Sequence, residues 1–188
     1  MYALNGKKEQ KTTVKNGVKR VSKECAYLAV FVALVIAAQL CLAAIPSVEV
    51  VTVLFVAYSF SFGGKRGMIA ATLFSFLRMF LYGVFFNVLL LYLVYFNLLA
   101  LLFGFLGERV KNPVRSLWWL TAVACLCTVC FSLLDNIITP LWYGYTGDTL
   151  RAYFFASLTA MLPQAACTAV TVGVLFLPFE RVFRLVRF

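Results

Sequence analysis

The sequence predicts an all-α integral membrane protein of six transmembrane helices with both termini cytoplasmic. Three observations carry that expectation. Hydrophobic residues make up 63% of the chain, against roughly 45–50% in soluble domains, and the mean hydropathy is +0.93. The apolar residues gather in runs of bilayer length. The positive charges fall between those runs and almost all on one side of them.

A bilayer core takes about 20 apolar residues per helix. Residues 1–24, "MYALNGKKEQKTTVKNGVKRVSKE", form a basic cytoplasmic segment with seven Lys/Arg and two Glu, read as a mobile tail near anionic lipid. A short interfacial helix faced by Val14, Val18 and Val21 is the other reading. The membrane domain, 25–188, opens with a run of about twenty residues. That exceeds the apolar region of a signal peptide, so the first span, 25–45, belongs to the mature protein and ends at Pro46. The second, 48–62, is short, and "GGKR" (63–66) turns the chain. The largely apolar stretch from Gly67 to Leu106 is 40 residues long, twice a bilayer, so the chain reverses within it. Gly83 and Asn87 in "YGVFFN" supply the only turn chemistry there, giving spans 67–84 and 87–106. The polar "GERVKNPVRS" (107–116) precedes the fifth span, 117–138. The loop "TPLWYGYTGDTLR" (139–151) leads to the sixth, 152–177, which contains Pro163.

Orientation follows from Lys and Arg. With the N-terminus inside, 15 of the 17 lie on the inner side, Arg151 lies outside and Arg78 within a span. Such asymmetry sets the topology of a multi-pass protein in the cell membrane. The same distribution argues against nucleic-acid binding, because the charges form no patch. Histidine is absent, which removes His-ligated metals, Ser-His-Asp triads and His proton relays. No phosphate-binding glycine loop, paired acidic motif or nucleophile with a base is present, so no catalytic residue, metal ligand or cofactor site is assigned. Cys127 and Cys130 have CxxC spacing, but about ten residues into their span, where small apolar packing suits cysteine better than redox chemistry.

Ionisable groups within spans cost about 2.5–3.5 kcal/mol each on insertion scales. Glu49, Arg78 and Asp135 fall there, all in the outer half, with Asn87, Asn136, Trp142 and Tyr143 at similar depth and Asn97 nearer the middle. One reading pairs Glu49 with Arg78 to lock two helices, while Asp135 and Asn136 hold the outer loop. The other is a substrate pocket built from Glu49, Arg78, Asn87, Tyr92, Asn97, Asp135, Asn136, Trp142 and Tyr143. Its walls are aromatic, Tyr82, Tyr95 and Tyr153 included. Directed polar groups within aromatic walls are the usual make-up of small-ligand sites. Asp148 is read as a cap of the sixth helix, and Pro163 as a kink within it.

The first span, "AYLAVFVALVIAAQ" (26–39), keeps one stripe small, with alanine at 26, 29, 33 and 37. The contrast is small against large, as in a membrane helix that receives another helix closely.

This AxxxA stripe, the six spans, the inward termini, the basic N-terminal segment and a length of 188 residues together resemble the S component of an energy-coupling factor vitamin transporter. "IPSVEVVTVLFVAYSFSFGGKRG" is similar in character to the second-span region of such subunits. The resemblance implies a high-affinity binding subunit for a vitamin or related small nutrient, and no enzyme. It further implies that Ala29, Ala33 and Ala37 dock on a membrane-embedded T subunit driven by two ABC ATPases. Internal packing of the stripe is the alternative. Other functions that the sequence allows are an autonomous small transporter or channel lined by Glu49, Arg78 and Asp135, or a membrane thiol-redox enzyme using Cys127 and Cys130.

Overall fold

A computed structural model describes residues 2–42 and 50–186, with side chains from Val21 onward. Six helices follow one another: α1 (Tyr2–Leu42), α2 (Val51–Phe62), α3 (Gly64–Tyr82), α4 (Phe86–Arg109), α5 (Leu117–Tyr143) and α6 (Gly147–Val186). No strand occurs among the described residues. Four stretches are long and apolar enough to cross a membrane: Val21–Leu42 and the whole of α4, α5 and α6. The other two fall short for different reasons. At 12 residues, α2 is too short, while α3 carries Lys65, Arg66 and Arg78 within its 19 residues. Pro46 and Glu49, with the end of the expected first span, lie outside the described residues.

The helix bounds depart from the sequence reading chiefly at prolines. The backbone of α5 continues through Pro140 to Tyr143, and α6 starts at Gly147 and passes Pro163 and Pro178. The expected 139–151 loop shrinks to residues 144–146. In an apolar surrounding a helix that stops leaves several amides without partners, whereas a helix that absorbs a proline loses one bond. The basic segment is also helical, continuous with the first apolar run from Tyr2.

The turns follow their glycines. Gly63 and Gly83 cap α2 and α3 at φ 91° and 101°, a region that side chains rarely adopt. Each N–H donates back to the carbonyl four residues earlier, Ser59 and Met79 respectively. With helices alternating in direction, Lys65, Arg66, Arg109, Lys111, Arg115, Arg181 and Arg184 share one end with the α2/α3 turn, here the Gly63 end. An Arg66–Glu24 ion pair of 2.6 Å ties α1 in at that end. The opposite Gly83 end carries the α3/α4 and α5/α6 turns and Arg151.

The core is organised around α2, whose residues Thr52 to Ser61 are all buried. An apolar helix without a polar face is buried on every side, and aromatic pairs show what surrounds it. Phe55 meets Phe31 of α1, Phe74 of α3 and Phe96 of α4 at 5.5, 5.3 and 4.8 Å between centroids. Phe60 meets Phe176 of α6 at 5.3 Å. Such pairs add about 0.5–1.5 kcal/mol each beyond the area they bury. On the outside, Phe80, Trp118, Leu141, Phe155, Leu162 and Leu185 are exposed. An apolar exterior of this extent is a surface for lipid.

The small stripe of α1 has a defined place. Phe31, Val32 and Val35 are buried in the core, whereas Ala26, Ala29, Ala33 and Ala37 are exposed, with Val30 and Leu34 beside them. Phe31, Val32 and Val35 turn inward, and the alanine stripe lies on the outward side with Val30 and Leu34.

Candidate functional site

The seam between α5 and α6 determines the first part of the site. Buried residues of α5 recur every fourth position, as Leu120, Ala124, Thr128, Ser132, Asn136 and Pro140. Those of α6 do the same, as Thr168, Val172, Phe176 and Glu180. Small and hydroxylated side chains at this spacing let two membrane helices approach and hydrogen-bond. Thr128 and Thr168 do so at 3.1 Å, and Ser132 donates to Gln164 Oε1 at 3.4 Å.

Toward the Gly83 end the seam opens into a cleft of about 180 Å³ whose polar lining is Ser132, Asp135, Tyr153, Ser157 and Gln164, with Phe131 as its apolar wall. The Asp135 carboxylate accepts from Thr139 Oγ1 at 2.7 Å and from Tyr153 Oη at 2.6 Å. A carboxylate held by two hydroxyls on neighbouring helices is a fixed acceptor beside the opening. The cleft offers hydroxyls, one amide and one carboxylate. That set suits a small polar molecule bound through directed hydrogen bonds.

Arg78 forms the second part, on α3. Its guanidinium carbon lies 4.1 Å from the ring centre of Tyr92 and 4.9 Å from that of Tyr82, so two electron-rich faces partly offset the charge. Its Nε is buried with no hydrogen-bond partner, and the Tyr82 hydroxyl is likewise unpartnered. Tyr92 connects the two parts, because its ring meets Phe131 of the cleft edge-on at 5.8 Å.

The remaining sequence-predicted residues divide. Asn87 and Asn136 are buried, each with an unpartnered Oδ1. Asn97 is instead a helix fastener, accepting from Thr72 at 3.3 Å and donating to the Leu93 carbonyl at 2.7 Å. Trp142 and Tyr143 are 57% and 50% exposed, at the end of α5. Glu49 lies outside the described residues. Asp148 pairs with Arg151 at 3.6 Å in the exposed first turn of α6, where an acidic side chain also suits the helix dipole. Ser132, Ser157 and Gln164 were missed in the sequence. Of these, Ser132 had a signal, four residues before Asn136 on one helical face.

All six cysteines are free thiols. Cys127 and Cys130 line an apolar groove of about 210 Å³ between α4 and α5 with Val94, Leu98 and Leu134. Among the described residues no group of His, Cys, Asp or Glu is placed to hold a metal ion.

The class defined by these observations is an all-helical membrane protein with several apolar helices of spanning length and a polar, aromatic cleft at one end. Comparison of the chain with protein-family models, with curated proteins and with solved structures finds no match.

Proposed function

We propose that the chain is the substrate-binding S component of an energy-coupling factor importer for a vitamin or related small nutrient. In this reading it spans the cell membrane six times with both termini cytoplasmic, and it is not an enzyme. The observation that carries the reading is the orientation of α1. Ala29, Ala33 and Ala37 are exposed while Phe31, Val32 and Val35 are buried, so no described helix of this chain uses the close approach that this small stripe permits. A T subunit, driven by two ABC ATPases, is the partner that the reading supplies for Ala29, Ala33 and Ala37.

Two further features support it. The cleft and Arg78 lie at the Gly83 end, opposite the basic end that the positive-inside rule assigns to the cytoplasm, so a ligand enters from outside. Polar groups among aromatic walls, with Asp135 fixed by Tyr153 and Thr139, suit a compact heterocyclic nutrient. The test is affinity purification of the full chain from its native membrane in mild detergent, with mass spectrometry of co-eluting proteins. A T-type membrane subunit and two ATPases are expected. Elution of the chain alone, even after crosslinking, together with uptake by the chain alone in proteoliposomes, overturns the reading in favour of an autonomous transporter.

A further inference from the structure

We propose that Arg78 anchors a binding site for an anionic oxygen group, a carboxylate or a phosphate, carried on an apolar or aromatic body. A guanidinium inside an apolar helix ordinarily finds a carboxylate; Glu49 lies outside the described residues, and the described acids at the Gly83 end are committed elsewhere. Asp148 holds Arg151. Asp135 accepts from Thr139 and Tyr153. Among the described residues Arg78 meets only two tyrosine faces and keeps Nε buried without a partner. The side chain is half-buried, so an incoming group can reach the planar fork, which matches carboxylate and phosphate geometry.

The surroundings favour an anion further. The α3/α4 hairpin is in a steady antiparallel register, with Gly67 against Ala100, Thr72 against Asn97 and Arg78 against Tyr92. Continuing that register brings the start of α4 level with Tyr82. There Tyr82 presents an unpartnered hydroxyl. The N-terminus of α4, a helix of 24 residues, has no side-chain cap, so its first-turn amides and its dipole favour negative charge. Asn87 in that turn is 4% exposed with its Oδ1 unpartnered, and its amide can present either end to a bound group. A lone helix terminus would say little. Among the described residues, an unpaired cation, an unpartnered hydroxyl and a buried amide oxygen without a partner, all toward the Gly83 end of the α3/α4 hairpin, together describe a site.

The anion can come from a solute or from a lipid headgroup, and Arg78 recognises the same oxygens in either. That a solute anion is the imported cargo rests on the importer reading above; the binding itself does not. Taken with that reading, it narrows the nutrient to one bearing a carboxylate or a phosphate.

The test uses the full chain in an uncharged maltoside detergent, with phenyl phosphate and benzoate as probes and phenol and benzamide as their uncharged counterparts. Binding is followed by saturation-transfer NMR and calorimetry. The charged probes are expected to bind at least tenfold more tightly. Arg78→Gln is expected to abolish that preference, and Arg78→Lys, which keeps the charge but not the fork, to weaken binding severalfold. Equal binding of charged and uncharged probes by the unmodified chain overturns the proposal, as does unchanged affinity in either folded variant. Repeating the measurement in nanodiscs with and without phosphatidylglycerol separates the sources. Displacement of the probe by that lipid assigns the site to headgroups, and indifference assigns it to solutes, both in support. No T subunit or ATPase is present, so failure here leaves the co-purification result standing, and the reverse holds.

Discussion

Thr128 Oγ1 and Thr168 Oγ1 lie 3.1 Å apart in the buried seam between α5 and α6, and each is also placed to donate to its own helix. Thr128 reaches the Ala124 carbonyl and Thr168 the Gln164 carbonyl, both at 3.1 Å. A hydroxyl has one proton to give, so these three contacts share two protons. One threonine donates across the seam while the other donates along its own helix.

That sharing limits what either residue contributes. Thr128→Val leaves Thr168 free to bond its own backbone, so the loss is expected to be about 0.6 kcal/mol and no more than about 1.7, the range of interhelical hydrogen bonds in membranes. Thr168→Val should match it, and a double-mutant cycle by thermal unfolding in detergent should give a double loss close to either single one. Strictly additive losses would contradict the shared-proton arrangement.

Close approach of backbones gives a sharper contrast. A Cβ at Gly104 would run into the backbone of Gly64, and one at Gly107 into the Phe60 carbonyl. Neither can yield as a flexible side chain would, so Gly104→Ala and Gly107→Ala should each destabilise by roughly 1–3 kcal/mol or more. Gly173 has nothing within 4 Å of its would-be Cβ. Gly173→Ala should therefore be neutral, or stabilising by up to about 1 kcal/mol, since alanine is the better helix former. Melting temperatures of the three purified variants decide the matter.

Asp135 and Tyr153 test the cleft. Asp135→Ala leaves the Tyr153 and Thr139 hydroxyls without their acceptor, at a cost of about 1–3 kcal/mol where those groups stay dry. Asp135→Asn keeps an acceptor in place and should fold nearly as well as the parent. If the cleft binds the nutrient through the charge, Asp135→Asn should still lose ligand affinity by tenfold or more in equilibrium binding. Equal affinity in a well-folded Asp135→Asn would remove the carboxylate from the site.

The exposed alanines separate docking from folding. Ala33→Trp adds bulk at a position exposed among the described residues, so stability is expected to change by less than about 0.5 kcal/mol. Co-purification of a T subunit should fall sharply, and a partner retained in full would show that this face is not its seat.

Much of the architecture was legible because it rests on punctuation and charge. Gly63 and Gly83 marked the turns that they make, and the run from Gly67 to Leu106 had to reverse because no bilayer is that thick. The extents of α5 and α6 were not legible. Pro140 and Pro178 are read as stops by rules taken from helices in water, where a broken helix can bond to solvent instead. Nor did the sequence reveal which helix is central. Amphipathic contrast normally distinguishes inside from outside, and Val51 to Phe62 is apolar all round, as lipid-facing segments also are.

At the site the difficulty was one of partners. Arg78, Asp135, Asn87 and Asn136 stood out as polar residues in apolar runs. What could not be read was that Asp135 finds Tyr153, 18 residues away on the next helix, or that Asn97 is used up by Thr72. Those depend on the rotation of each helix about its axis, which packing sets.

The enclosure of α2 bears on how the chain is made. Twelve residues of helix measure about 18 Å, against a hydrocarbon core of roughly 30 Å, and the hydroxyls of Thr52, Ser59 and Ser61 face outward from it among the apolar side chains. On leaving the ribosome this helix has only α1 beside it. Phe74 and Phe96 reach Phe55 later, and Phe176 closes over Phe60 only after more than a hundred further residues have been added. An early-synthesised part of the interior is thus the last to be sealed. Biogenesis of this protein therefore turns on the arrival of α6, and a chain cut short before it would leave its centre uncovered.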